Sequence, residues 1–296
     1  MQRPRVLVVG DVMVDIIAAP DGPIVRGSDR RAKIVRRHGG SGANQAVWLG
    51  YFDVPVTLIG RVGAADLKTY EHYFEGFGVT PHLAGDVERP TGMLVTLVDP
   101  DGERSFLTDR AANLNLEPRD LPPETLRDIS LLVVSGYSLF EKAPRAAILG
   151  LVSQAREQDI EFVVDPASTS FLAEMGPENF LEATRGAAML FPNEEEAALL
   201  AGAGDIEGQL RRLLEHARLV VIKRGALGAT AAERGSEIVS LPAPRITVRD
   251  STGAGDAFLA RFIAERQTGA SLHDCLARAI GAGSAAAAMV GGQPPR

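Results

Sequence analysis

Thr252-Gly253-Ala254-Gly255 is a turn of small residues, and Asp256 follows it at the head of a helix-like segment, Ala257 to Gln267. Small side chains let neighbouring backbone N–H groups converge without interference from Cβ atoms. A helix that starts there adds its unpaired first-turn N–H groups and the positive end of its dipole. Together these bind anions, phosphate among them. A carboxylate beside such a hole does not hold phosphate, so Asp256 answers to something else, most simply a hydroxyl proton. An anion hole with an adjacent base is what transfer of a phosphoryl group to an alcohol requires. A structural reading competes with the chemical one, because acids are common in first helical turns. The run Arg245-Ile246-Thr247-Val248 just upstream reads as a β-strand leading into the turn.

Other candidates are spread along the chain. Gly10-Asp11-Val12-Met13-Val14-Asp15 follows the apolar strand Arg5 to Val9. Period-two alternation puts Asp11, Met13 and Asp15 on one face. An acid there is costly unless it binds something, or unless it lies at a surface edge. In Gly39-Gly40-Ser41-Gly42-Ala43-Asn44-Gln45-Ala46, three glycines before a helical run permit close approach by a ligand. Asn44 donates and accepts at once, which suits a sugar hydroxyl, and a helix N-cap is the structural alternative. In Pro192-Asn193-Glu194-Glu195-Glu196, Asn193 caps a helix and the acids complement its dipole, or Glu196 sits near hydrated magnesium. Lys223-Arg224-Gly225-Ala226-Leu227-Gly228 ends a strand with cations and glycines that suit nucleotide phosphates. Arg110 divides between an anionic substrate group and a surface acid. No Gly-x-x-x-x-Gly-Lys-Ser/Thr loop occurs, and the first strand is not followed by Gly-x-Gly-x-x-Gly.

The elements that must position these residues alternate. Strands are expected at Val56 to Gly60, Leu131 to Val134, Glu161 to Val164, Ala188 to Phe191 and Leu219 to Ile222, with helices between them. That pattern means a parallel sheet with right-handed crossovers, an α/β fold whose ligands sit at the carboxyl ends of strands. Gly10-Asp11, Asp165, Asn193, Lys223 and Asp256 all follow expected strands. Residues 91–98 and 103–108 form a hairpin around Asp99-Pro100-Asp101-Gly102, which interrupts the alternation. With residues 12–37 it makes a small separate sheet, a lid over about 12–37 and 91–110 of a single domain spanning 1–296. The Gly/Pro stretch ending at Arg296 reads as frayed or surface-lying.

The chain has 296 residues, 45% of them hydrophobic, enough for one large domain. A formal net charge of −7 argues against nucleic acid as a partner. Cys275 is the single cysteine, which excludes a disulfide framework and fits the cytoplasm. No stretch reads as a membrane span, because the run Ala279 to Val290 is too short and reads as a helix packed on a sheet.

In their order along the chain, these motifs resemble the ribokinase-like sugar kinases, the PfkB family. Gly39 to Ala46 resembles the family's first signature and Asp250 to Phe258 its second. Asn193 to Glu196 resembles its Asn-x-x-Glu motif, and Gly10 to Asp15 its substrate-binding turn. The resemblance implies a three-layer α/β/α fold with a β-sheet lid and ATP-dependent phosphorylation of a small sugar or sugar acid. It implies Asp256 as base and Gly253, Ala254 and Gly255 as anion hole. It implies Asp15, Gly39, Gly40 and Asn44 on sugar hydroxyls, and Asn193, Lys223, Gly225 and Gly228 at the nucleotide. Glu196 would hold Mg²⁺ through water and Asp250 a monovalent cation such as K⁺. Apart from the resemblance, the protruding small sheet offers edges that a partner subunit could cover, a homodimer through the lid. Ser41 stands where ribokinases commonly carry Lys, and Asp109-Arg110-Ala111-Ala112-Asn113 where Gly-Ala-Asn is usual. Arg110 is similar to an arginine of the family's sugar-acid kinases. A nucleoside kinase of the same family and a non-catalytic sugar- or nucleotide-binding protein are the alternatives.

Overall fold

A computed structural model describes residues 5–98 and 104–295. The chain runs through β1 (Arg5–Val9), β2 (Met13–Pro20), β3 (Ala32–Gly39), α1 (Ser41–Tyr51), β4 (Val56–Gly63), α2 (Leu67–Glu75) and β5 (Val79–Asp86). Then come β6 (Gly92–Val98), β7 (Arg104–Asp109), β8 (Ile129–Ser135), α3 (Lys142–Glu157), β9 (Glu161–Asp165), α4 (Thr169–Met175), α5 (Pro177–Ala183) and β10 (Ala187–Leu190). It closes with α6 (Glu194–Ala201), α7 (Ile206–Leu213), β11 (Ala217–Lys223), β12 (Ala229–Glu233), β13 (Val239–Leu241), α8 (Ala254–Arg266) and α9 (Leu272–Ala287).

The main sheet has nine strands in the order β13-β12-β11-β10-β9-β8-β1-β4-β5. Strands from β11 to β5 pair in parallel, and β12 and β13 add an antiparallel edge. Alternation along β1 divides the core. Val6 and Val8 join one buried cluster with α1, α2, α8 and α9 residues, and Leu7 and Val9 join another with residues of α3 to α7. Helices thus cover both faces, as buried parallel strands require. The architecture is a ribokinase-like three-layer α/β/α fold.

A second sheet, β3-β2-β6-β7, stands apart from the first. Its central pair β2–β6 is parallel and its outer pairs are antiparallel. The chain leaves the main sheet between β1 and β2, so Asp11 precedes the lid strand rather than lying on it.

Two expectations are corrected. Residues 245–248 form no strand, although their composition is β-rich. Pro242 and Pro244 deny the segment ladder donors, and Arg245 to Val248 are exposed. The carboxyl-terminal residues are not frayed or spread on the surface. Gly291 and Gly292 are buried, the Gly291 N–H donates to Asp250 Oδ2 at 2.9 Å, and the Gly292 carbonyl accepts from Trp48 Nε1 at 2.9 Å. The Asp99 to Gly102 turn lies outside the described residues.

Candidate active site

Helix α8 is buried on nearly every side, through Ala257, Phe258, Leu259, Ala260, Phe262, Ile263 and Ala264. Its first turn is therefore held rigidly by packing rather than by exposure to solvent. Gly253 enters it in the left-handed region, φ 71°, and a Cβ there would lie 2.2 Å from the Gly292 carbonyl oxygen. Both the backbone angle and the space demand glycine. The N–H groups of Gly255 and Asp256 have no backbone partner among the described residues, whereas that of Ala254 donates to the Ser251 carbonyl at 3.2 Å.

Asp256 is 9% exposed, and both its oxygens accept hydrogen bonds from α1. Ser41 Oγ donates to Oδ1 at 2.8 Å and Asn44 Nδ2 to Oδ2 at 3.1 Å. Burial first, and Asp165 second, push the Asp256 pKa up to about 7. Ser41, Asn44 and Lys223 pull against that rise. The result is a carboxylate poised to exchange a proton near neutrality. Asn44 sits inside α1, not at its cap, and its Oδ1 is buried without a partner.

The cap of α1 comes from elsewhere. Asp11 receives the Ser41 N–H at 3.1 Å and the Gly42 N–H at 3.2 Å. It also takes Ser135 Oγ at 2.9 Å and Arg110 Nη1 at 3.4 Å. The Arg110 guanidinium lies 5.1 Å over the Tyr137 ring. Asn113 staples the turn by bonding both the N–H and the carbonyl of Val12 at 3.0 Å.

Asp15 approaches from the lid. It is 8% exposed, and its Oδ1 has no hydrogen-bond partner. Burial, then Asp11, then Asp250, raise its pKa to about 7. Gly39, opposite Met13 in the β2–β3 ladder, makes room for it, since a Cβ there would lie 2.1 Å from Asp15 Oδ2. A buried carboxylate with an orphan oxygen is unfavourable in the free protein and marks a place for a hydroxyl donor.

The carboxyl ends of β9, β10 and β11 supply the other half of the cleft. Lys223 Nζ donates to Asp165 Oδ2 at 2.6 Å. Burial works against the ammonium, but Asp165, Glu196 and Asp256 outweigh it, so the Lys223 pKa is raised. The ammonium lies 3.3 Å from where a Cβ on Gly255 would be, beside the anion-binding turn. Asn193 and Glu196 form a reciprocal capping box: the Asn193 N–H donates to Glu196 Oε2 and the Glu196 N–H to Asn193 Oδ1, each at 2.8 Å. Burial, and Asp165 against the opposing pull of Lys223, raise the Glu196 pKa to about 7. Gly225 and Gly228 flank the short turn between β11 and β12. Asp250 is buried, with Oδ1 on the Thr252 N–H and Oδ2 on the Gly291 N–H.

The fold therefore brings Asp15, Gly39, Gly40, Asn44, Arg110 and the Gly253 to Asp256 turn to one side of a cleft. Lys223, beside Gly255, joins that group to Asp165 and Glu196 at the ends of β9 and β10, where Asn193 caps α6; Gly225 follows β11. Sequence reading passed over Ser41 as a site residue, along with Tyr137 and Trp48. Ser41 had a signal, because it sits one helical turn before Gln45 and next to Asn44 in a glycine-rich entry. Tyr137 had none, since it enters the cleft only because β8 ends beside β1. A surface groove of about 1020 Å³ between α3, α4 and α5 lies away from this chemistry.

The chain is 28% identical over 271 residues to a fructokinase from Klebsiella pneumoniae, covering 88% of this chain and 83% of that protein. It is 27% identical over 270 residues to a 5-dehydro-2-deoxygluconokinase from Listeria monocytogenes serotype 4b, covering 85% and 80%. A probable sugar kinase protein from Rhizobium etli CFN 42 superposes with a TM-score of 0.89 at 25% identity, covering 99% and 96%. The description "pfkB family carbohydrate kinase" matches residues 3–296, and the chain belongs to that family.

Proposed function

We propose that this carbohydrate kinase moves the γ-phosphoryl group of ATP to a hydroxyl of a small sugar or sugar acid, with Asp256 as base. The observation that carries the reading is the Asp256 carboxylate at the head of α8, held by Ser41 and Asn44 in the turn that Lys223 flanks. Asp15 and Asn44 orient the acceptor by accepting hydrogen bonds from its hydroxyls. Asp256 removes the proton of the attacking hydroxyl as its oxygen bonds to the γ-phosphorus. The bond from that phosphorus to the bridging oxygen of ADP breaks in line. Charge on the transferred group falls on the N–H groups of Gly255 and Asp256 at the end of the turn, with the Ala254 N–H already held by Ser251, and on Lys223.

Among the described residues no three His, Cys, Asp or Glu side chains converge as a metal cage. A hydrated Mg²⁺ suits such a site, since it keeps several waters and takes few protein ligands. Glu196 would hold it, with Oε2 committed to the Asn193 N–H and Lys223 near enough to act on it electrostatically. An ion held there would supply positive charge against the triphosphate. Asp250 would hold K⁺ beneath the turn. No helix among the described residues is long and apolar enough to cross a membrane. Cys275 is buried and forms no disulfide, which suits the cytoplasm. A homodimer through the lid belongs to the same proposal.

ADP release from Mg-ATP across pentoses, hexoses, sugar acids and sugar phosphates tests the reading. Asp256→Asn should lower kcat by about 10²- to 10⁴-fold while leaving the Kd for ATP nearly intact. Unchanged turnover in that variant would overturn the assignment of the base.

A further inference from the structure

Arg37 is a cation that the chemistry above leaves unused. It stands directly opposite Asp15 in the β2–β3 ladder. Directly paired residues leave a sheet on the same face, so Arg37 projects on the face that carries Asp15 to the cleft. Its aliphatic stem rests on the carboxyl-terminal segment, where a Cβ on Gly291 would lie 3.1 Å from Arg37 Cδ and 3.4 Å from Nε. That same Gly291 donates its N–H to Asp250. Arg37 is exposed, and among the described residues its guanidinium enters no hydrogen bond or ion pair. The other cations of the cleft are committed: Lys223 to Asp165, Arg224 to Glu194 and Arg110 to Asp11.

The cleft holds the carboxylates of Asp11, Asp15, Asp250 and Asp256, so an anionic substrate is repelled unless spare cations offset them. Arg110 supplies one in part. Its contact with Asp11 is long, 3.4 Å, and its plane lies over Tyr137, so several of its five N–H donors stay available. A second guanidinium supplies what Arg110 lends to Asp11.

We propose that Arg37 and Arg110 together read an anionic substituent of the acceptor, a carboxylate or a phosphate ester, from the lid and from the floor, while Asp15 takes a hydroxyl of the same molecule. This rests on the kinase reading and names its substrate class. Guanidinium groups are suited to the task, because they are weakly hydrated and bind carboxylate and phosphate through paired donors. Placing one of the two on the lid makes anion recognition part of lid closure.

The test is steady-state ADP release with a sugar acid, a sugar phosphate and a neutral sugar of equal carbon number. It compares the unsubstituted chain, Arg37→Leu and Arg37→Lys, with folding followed by thermal midpoint. The expected result is a preference for one anionic acceptor of about tenfold or more in kcat/KM. Arg37→Leu should raise KM for that acceptor by about 10- to 100-fold, move kcat far less, and shrink the anionic-to-neutral ratio in proportion. Arg37→Lys should recover part of the ratio. Whichever anion has the lower KM identifies its source. Preference for the neutral sugar, or an anionic-to-neutral ratio untouched by Arg37→Leu, would overturn the proposal and leave the kinase reading standing. Absence of ADP with every acceptor would overturn both.

Discussion

Asp256 and Asp15 are buried carboxylates raised to about the same pKa, yet they stand in opposite situations. Asp256 has a donor on each oxygen, and both donors favour its ionised form. Removing one in Ser41→Ala should raise its pKa further and move the acid limb of kcat/KM upward by about 0.5 to 1 pH unit. A limb that stays where it was would mean that Asp256 is not the titrating base. Asp15 has no donor on Oδ1, so its ionisation opposes folding. Below about pH 4 it is protonated in both states and contributes nothing. Between about pH 4 and 7 the unfolded chain ionises first, so stability falls as pH rises, and above about 7 the penalty is constant. Asp15→Asn should therefore stabilise the free protein by ~2–4 kcal/mol at pH 8, and by much less at pH 4, in urea unfolding. The same substitution should raise KM for the sugar. No gain at pH 8 would mean that Asp15 carries no such burden. Asp256 was legible because small residues surround it in the chain, and Asp15 because an acid on an apolar strand is costly unless it binds something. Tyr137 was not, because no local pattern separates an aromatic ring in a cleft from one in a core.

At the scale of elements, the carboxyl-terminal segment joins the two helices that hold the base. Gly292 lies between α1 and α8, with Trp48 on its carbonyl, Gly253 against its backbone and the Asn44 amide beside its Cα. Tyr73 and Gln293 fasten the segment again through their side chains. A Cβ on Gly292 would lie 2.7 Å from Asn44 Nδ2. Gly292→Ala must push either the segment or Asn44, and Asn44 is the residue that orients Asp256. The expected outcome is a fall in kcat of about 10- to 100-fold, as small misplacements produce, with the Kd for ATP within about threefold. A variant that loses thermal stability but keeps its rate would show that the segment braces the fold and not the base. Composition misleads here, because a Gly/Pro stretch looks like a loose end when glycine is what allows close packing against Gly253. It misleads in the other direction at Arg245 to Val248, where β-branched residues suggest a strand but flanking prolines and exposure leave an extended loop. The central strands β1, β4, β8, β9, β10 and β11 were legible, because buried parallel strands are nearly continuous apolar runs, whereas β5, β12 and β13 toward the sheet edges carry no such run and were not.

For the molecule as a whole, the lid sheet carries two different faces. One presents Asp15 and Arg37 to the cleft. On the other, Ile34, Ala18 and Leu97 stand at one level of the ladder and Leu107, Val95 and Ile16 at the next. Ile34 is 65% exposed and Leu107 62%. An apolar stripe across a four-stranded sheet with open edges at β3 and β7 invites a covering partner. A second copy of the chain is the simplest occupant, since a two-fold axis places the same stripe against itself. The chain should then sediment at twice its 31.4 kDa mass at micromolar concentration, and Ile34→Glu with Leu107→Glu should return it to the single mass. Both substitutions lie on the face away from Asp15, so the separated chains should keep kcat within about threefold while lid ordering, read as KM for the sugar, weakens by more. Sedimentation of the unsubstituted chain at the single mass from about 1 to 100 µM would remove the pairing, and the stripe would then be a surface that the folded monomer tolerates.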